Sequence, residues 1–277
     1  MIPGEVIRTT RFLERGNVVV VATDHGGMNG PIPGVERYSQ ESQILRAADA
    51  ILLSAAMIPR LLQPHCDKRG ELAIGDRIPK LIVRLNWLTN FFFKANYQEG
   101  HNVETLSVAQ ATSFGADAVM ASLHLRTGDE KTDAENVALF SRIVAQKRTL
   151  GMPLFAEIYP SDAILADELL LHDHVRDCCR ISAELGADMI KTFYTGAKFS
   201  ETVASTPIPI FVLGASKCPA LESLQRAYDA VNAGCRGVVY GRNVFQSDHP
   251  SNYLEALRRV VKEGRDPSQT ARELELH

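Results

Sequence analysis

Lys191 stands in the middle of MIKTFYTG (189–196), a short apolar run that reads as a buried strand. A cation there is costly to desolvate unless it is paired, neutral or useful. A desolvated amine has its pKa pulled down, so part of it is free nucleophile near neutral pH. Such an amine can attack a ketone and form a Schiff base, an electron sink that makes carbon–carbon cleavage feasible. The competing interpretation is structural: a salt bridge to an inward carboxylate of a neighbouring strand, with Glu157 as the candidate. Lys80 and Lys217 are weaker nucleophiles by position, since the first opens a strand and the second lies in the loop after one.

Schiff-base aldol chemistry also needs an acid/base at the carbon being made or broken, and groups that help shed the carbinolamine hydroxyl. Tyr159 in FAEIYP and Asp24 in VATDHG stand at the ends of apolar runs, where they could face the same cavity as Lys191. Taken singly, Tyr159 is an ordinary half-buried tyrosine, and Asp24 could equally cap the loop after it. Two other segments, LGASK (213–217) and YGRN (240–243), set small residues beside a cation after a strand, as anion-binding turns do. Together they favour a phosphorylated substrate. The loop TDHGGMNGPIPG (23–34) is no dinucleotide fingerprint, because the glycine spacing is wrong and Pro31 and Pro33 block a helix start. It reads instead as a flexible substrate loop.

The elements that must position these residues recur along the chain. Eight apolar runs read as strands: 17–26, 50–56, 80–86, 118–125, 153–160, 189–196, 208–216 and 237–243. Helical stretches separate them, among them 134–151 and 220–234. In the latter, Leu221, Leu224, Ala227, Tyr228 and Val231 share a face at helical spacing, and Gly234 is placed as the cap beyond its end. Segments such as FGADAVM, LGADMIK and AGCRGVV repeat one device, a helix ending at glycine followed by an apolar strand. Eight alternating units with no linker predict a single-domain (β/α)8 TIM barrel over residues 1–277, with an open doubly wound sheet as the competitor. The segment 93–107 is the least regular connection and reads as a loop plus a short helix. In such barrels, functional residues gather at the C-terminal ends of strands, which is where the candidates fall.

Composition narrows the partners. Hydrophobic residues make up 45% and charged residues 23%, with a net charge of -3. That balance predicts neither a nucleic-acid nor an anionic-membrane partner, and no apolar run approaches the roughly 20 residues of a membrane span. The first residues lack a signal peptide's apolar core, so a cytoplasmic protein is expected. The five cysteines (66, 178, 179, 218 and 235) form no disulfide or zinc pattern and read as buried thiols. His25, His124, His172 and His174 offer no ligand spacing, so neither a metal nor another cofactor is expected.

In combination, VVVATDHGGMNGPIPGVE, GADMIKTFYTG, the GASK turn and GRNVFQSDHP resemble the class I fructose-bisphosphate aldolases of the archaeal type, in the DeoC/FbaB aldolase family. The resemblance runs from about residue 10 to residue 260 with the motifs in order. It implies a Schiff-base lyase with Lys191 as the covalent lysine, Tyr159 as general acid/base and Asp24 as the carboxylate assisting the carbinolamine. His25, Gly214, Ala215, Ser216, Gly241 and Arg242 would bind the substrate and its phosphate, and dihydroxyacetone phosphate would be the covalent partner. It further implies a small phosphorylated sugar or ketone as ligand and a homo-oligomer, in this family often a decamer. The chain departs from the family pattern in two places. Glu157 stands where the aldolases carry an aromatic residue before their tyrosine, without the arginine-glycine pair that follows it. Asn29 replaces a histidine of the first loop. GRNVFQSDHP is also similar to a relative of the family, the thiolase acting on a phosphorylated hydroxypentanedione. The transaldol-type hept-6-ulosonate synthase, which uses the same lysine, is a further alternative.

Overall fold

The computed structural model describes residues 2–36, 45, 47–62, 78–97 and 99–276, the Lys94 side chain excepted. Each of the eight apolar runs supplies one parallel strand: β1 (Val18–Ala22), β2 (Ala50–Leu53), β3 (Lys80–Arg84), β6 (Ala118–Ser122), β7 (Leu154–Glu157), β8 (Met189–Thr192), β9 (Ile210–Leu213) and β10 (Gly237–Tyr240). They pair in chain order, and β10 returns to pair with β1, closing a (β/α)8 barrel. The open-sheet alternative is thereby excluded. Two short strands, β4 (Asn86–Leu88) and β5 (Asn102–Glu104), form an antiparallel ribbon after β3.

Alternation along each strand divides the apolar residues into two sets. Val20, Leu52, Ile82, Met120, Phe155 and Met189 fill the barrel interior. Val19, Val21, Ile51, Val83, Val119 and Ile190 face outward into the layer beneath the helices. Burial on both faces explains why these strands read as unbroken apolar runs.

Helix α1 (Pro3–Leu13) closes the N-terminal end of the barrel. Its Phe12 packs edge-on against Phe155 at 5.5 Å and Phe211 at 6.4 Å between ring centroids. Lys80 sits at this end, donating to the Arg11 carbonyl with its ammonium 5.4 Å from the Phe12 ring. It is a structural lysine, as its position at the start of a strand suggested.

The first loop contains one helical turn, α2 (Gly26–Asn29), which ends ahead of Pro31. Helix α3 (Glu130–Leu150) starts four residues earlier than its apolar pattern suggests, because the Asp129 side chain caps it by accepting from the Thr132 amide. Helix α4 (Glu168–Leu185) follows β7, and α5 (Ala220–Asn232) follows β9. The buried face of α5 runs through Ala220, Ser223, Leu224, Ala227 and Ala230, with Leu221 turned outward and 46% exposed. The predicted stripe was therefore rotated, since small residues and a serine pack where larger apolar ones were expected. Gly234 follows in the left-handed region, as placed. The short helix α6 (Arg242–Phe245) and the longer α7 (Pro250–Glu263) follow β10.

The segment 93–107 corrects the expectation of a short helix. It holds a 3-10 turn at Phe93–Ala95 and then β5, whose three half-exposed residues are too few to show a period. Among the described residues no helix is long and apolar enough to cross a membrane.

Phe12 carries the closure of the barrel floor, so Phe12→Ala should cost about 3–5 kcal/mol of stability. Urea denaturation would check this. Because Phe12 lies at the end opposite the strand C-termini, ligand binding by the folded variant should be unchanged.

Candidate active site

Two residues beyond the apolar interior layer, the inward positions turn polar. Ile82, Met120, Phe155 and Met189 are succeeded by Arg84, Ser122, Glu157 and Lys191, and Asp24 follows Ala22 of β1 by the same step. The register sets Ser122 beside Glu157 and Glu157 beside Lys191 on neighbouring strands. The result is a chain of buried charges. Asp24 Oδ2 accepts from Arg84 Nε at 2.5 Å, and Arg84 Nη2 donates to Glu157 Oε2 at 2.7 Å. Ser122 Oγ donates to the same Glu157 oxygen at 2.6 Å and accepts from Arg84 Nη1 at 3.0 Å. Lys191 Nζ donates to Glu157 Oε1. The four charged residues are between 2% and 7% exposed, so water screens none of these pairs.

Burial alone would raise the carboxyl pKa values of Asp24 and Glu157. Both instead lie below their ordinary values, because Arg84 and Lys191 outweigh the burial. Burial likewise works against the Arg84 cation, yet Glu157 and Asp24 hold it above its ordinary value. The salt bridge that competed with catalysis as an explanation of Lys191 is thus present. It leaves the lysine facing a cavity all the same.

That cavity, about 230 Å³, lies at the C-terminal ends of the strands. Asp24, His25, Tyr159, Lys191, Gly214, Ala215, Ser216, Gly241 and Arg242 all line it. The nine candidates therefore meet in one place. Lys217 is exposed and takes no part in the lining. Burial pushes His25 down to about 4, so at neutral pH it is an uncharged imidazole. Burial pushes the Tyr159 phenol up to about 12, so it stays protonated.

Loop contacts hold the rim. His124 Nδ1 donates to the Tyr159 carbonyl at 2.5 Å, which fixes the tautomer and leaves Nε2 to accept from Asn90 at 3.3 Å. Gly100 presses on this imidazole: a Cβ there would fall 2.2 Å from the ring. On the opposite rim, Asn243 Nδ2 donates to the carbonyls of Gly214 at 2.7 Å and Ser216 at 3.3 Å. Arg242 Nη2 donates to the Ala215 carbonyl at 3.0 Å. The loops after β9 and β10 are thus tied into one unit. Gly241 lets that unit approach β1, since a Cβ would lie 2.6 Å from the Ala22 carbonyl oxygen. Arg242 Nε is buried and has no hydrogen-bond partner among the described residues.

Several site residues escaped the sequence reading. Arg84 is one, although a charge at the inward period of KLIVRLN is the same signal that exposed Lys191. Ser122 and the bracing roles of His124 and of Asn243 within the YGRN turn carry no signal of their own. Three aromatics surround Tyr159: Phe91 at 4.9 Å, Phe193 at 5.3 Å and Phe93 at 6.3 Å between centroids. Arg242 stands 5.9 Å from the Phe93 ring. Among the histidines weighed as ligands, His172 bonds Thr195 Oγ1 at 2.9 Å and His174 packs on the Cys178 sulfur at 3.6 Å. Cys178, Cys179 and Cys235 are buried thiols whose pKa burial raises, and Cys218 is half-buried; Cys66 lies outside the described residues.

A parallel barrel carrying an inward lysine in a carboxylate-rich layer at the strand C-termini defines a class of enzyme scaffold. The comparisons give the family. The model of the DeoC/LacD family aldolases matches residues 18–247, and this chain belongs to that family. An uncharacterized aldolase of Saccharolobus solfataricus is 30% identical over 269 residues, 95% of this chain and 96% of that one. The 2-amino-3,7-dideoxy-D-threo-hept-6-ulosonate synthase 1 of Archaeoglobus fulgidus is 32% identical over 259 residues, 93% and 91% of the two chains. A 3-hydroxy-5-phosphonooxypentane-2,4-dione thiolase of Shigella flexneri is 28% identical over 247 residues, 89% and 88%. Among solved structures, a Schiff-base-forming fructose-1,6-bisphosphate aldolase superposes with a TM-score of 0.77 at 24% identity, over 93% of this chain and 99% of that one. That likeness speaks for the fold.

The depressed carboxyls set a pH dependence. Their stabilisation is fully present above the ordinary values of 3.8 for Asp24 and 4.5 for Glu157, and is lost as pH falls through the lower folded values. Acid below about pH 4.5 should therefore destabilise the protein. Glu157→Gln should be less stable at pH 7 by about 3–5 kcal/mol, through the unpaired buried cations, and should lose less on acidification. Urea midpoints at pH 7 and pH 3 for both proteins would check this.

Proposed function

We propose that this protein is a class I aldolase that makes or breaks a carbon–carbon bond in a phosphorylated ketone or ketose. The observation that carries this reading is the convergence of Lys191, Tyr159, Asp24 and the two joined loops after β9 and β10 on a single cavity. Lys191 attacks the ketone carbon and, with loss of water, becomes an iminium. The iminium draws electrons from the adjacent carbon, which lets the bond beyond it break or form. In the bond-forming direction Tyr159, protonated at neutral pH, gives its proton to the aldehyde oxygen, and cleavage runs the same transfer in reverse. Asp24, held ionised beside Arg84, faces the carbinolamine. Arg242 and the Gly214–Ser216 turn receive the phosphate, and the free Arg242 Nε offers a buried donor for it.

The wall around Tyr159 bears on the second carbonyl partner. Phe91, Phe93 and Phe193 surround the phenol, and Leu165 and Met28 add apolar lining to the cavity. Among the described residues, the cationic side chains lining it are Lys191 and Arg242. One phosphate site and an apolar wall favour a donor such as dihydroxyacetone phosphate with an uncharged acceptor, over fructose 1,6-bisphosphate. A second reading, transfer of the cleaved fragment to another acceptor, is favoured by the relatives named as a thiolase and a hept-6-ulosonate synthase. Dependence of turnover on coenzyme A would identify the thiolase form.

Borohydride added with dihydroxyacetone phosphate should leave a reduced adduct on Lys191, read by peptide mass spectrometry, and Lys191→Met should abolish it. An adduct elsewhere, or unchanged activity in Lys191→Met, would overturn the reading. Tyr159→Phe should still form the adduct while kcat for an aldehyde acceptor falls about 10²–10⁴-fold.

A further inference from the structure

The Schiff-base reading leaves a charge to be accounted for, and the inference that follows rests on that reading. The net change at Lys191 is R–NH3⁺ + O=CR'2 → R–NH⁺=CR'2 + H2O. One unit of positive charge sits on the same nitrogen at the start and at the end. The two protons that leave the ammonium nitrogen depart with the former carbonyl oxygen as water, so no other group changes its charge over the whole step. A cation this deeply buried needs a fixed anion at both stages.

Glu157 is the carboxylate in contact with that nitrogen. Its other oxygen is filled by Arg84 Nη2 at 2.7 Å and Ser122 Oγ at 2.6 Å. A carboxylate so held has its geometry fixed from three strands, β3, β6 and β8, and gains no room for a proton. Arg84 and Lys191 also keep its carboxyl well below the ordinary range, which separates Glu157 from a proton carrier.

We infer that Glu157 is a catalytic residue: it is the counter-ion of the Lys191 iminium, and Arg84 and Ser122 are the positioning residues that hold it ionised against the reacting nitrogen. Asp24 completes the arrangement at the far side of Arg84, so that two carboxylates face two cations. The group replaces an aromatic residue of the aldolases that the sequence resembles. In this chain, the electron sink is accordingly stabilised by a fixed charge from the neighbouring strand.

The consequence is a pH limb. Without the anion, the iminium loses its proton, and with it its electrophilicity, at lower pH. The charged and titratable groups around Lys191 are Glu157 on β7, Arg84 on β3, Asp24 and His25 after β1, Tyr159 after β7 and Arg242 after β10. Of these, Glu157 alone is altered in the experiment.

The experiment measures borohydride trapping of dihydroxyacetone phosphate on Lys191 from pH 6 to 10, in the wild type, Glu157→Gln and Glu157→Asp, with circular dichroism to establish folding. If the wild type forms no adduct on Lys191, the Schiff-base reading itself fails, and the inference falls with it. If the wild type traps, Glu157→Gln should move the high-pH limb down by about one unit or more and reduce trapping at neutral pH about tenfold, on the scale of one lost buried charge contact. Glu157→Asp, which withdraws the charge by one methylene, should fall between the two. A folded Glu157→Gln with the wild-type limb overturns the counter-ion role while leaving the Schiff base standing. Should Glu157→Gln not fold, Glu157→Asp decides alone: a downward displacement supports the role, and an unmoved limb overturns it.

Discussion

The structure turns on one electrostatic constraint, the neutrality of the buried row Asp24–Arg84–Glu157–Lys191. Taking a charge out of water is expensive, and attraction in a low-dielectric interior repays that cost only when geometry is good and the remaining hydrogen bonds are made. Both conditions are met by parallel strands in register, which deliver Ser122, Glu157 and Lys191 side by side. Neither cation can be spared. Without Arg84, two buried carboxylates would compete for one ammonium. Without Lys191, the guanidinium would have to serve both carboxylates alone.

The barrel below this row supplies its rigidity. Phe12, Phe155 and Phe211 meet edge to face at the floor, and a buried apolar layer separates them from the polar row. The polar row lies at the C-terminal side of that layer, where the cavity opens. The loops divide the remaining work. The rim at β9 and β10 is stiffened by Asn243 and Arg242, which satisfy carbonyls of the opposite turn and so preset its shape. The rim at Tyr159 is braced by His124 and lined by aromatic rings, a surface suited to exclude water from whatever meets the phenol.

What could be foreseen follows from where the physics is local. The eight strands were legible because burial on both faces makes each an apolar run, and the glycines after the helices mark the units. Lys191 was legible because a charge inside such a run demands an explanation. Arg84 carries the same signal in KLIVRLN, a charge at the inward period of an apolar run, and its partner carboxylates lie on other strands, which only the fold brings together. The ribbon of β4 and β5 has only three residues per strand, with buried, half-buried and exposed positions mixed, so no period could show it. The aromatic wall was hidden for another reason. Phe91 and Phe93 come from an irregular segment, and only the fold brings them to Tyr159 and Phe193.

Glu157 shows why a departure from a family pattern is best interpreted with its partner. Taken alone, a carboxylate where the resembled aldolases carry an aromatic looks like a loss: an apolar wall gives way to a charge beside the lysine. Set beside Asp24 and Lys191, it would leave the layer one negative charge in excess. Arg84 removes that excess, and Ser122 fills the remaining lone pair, so the replacement stands only as part of a set. A carboxylate held by three donors is also a poor acid and a poor base. That leaves proton traffic to Tyr159, whose phenol faces the opposite problem: buried among rings, it keeps its proton until a substrate oxygen takes it. The two groups flank the cavity with fixed charge on one side and a mobile proton on the other, the separation that a reaction passing through a buried cation requires.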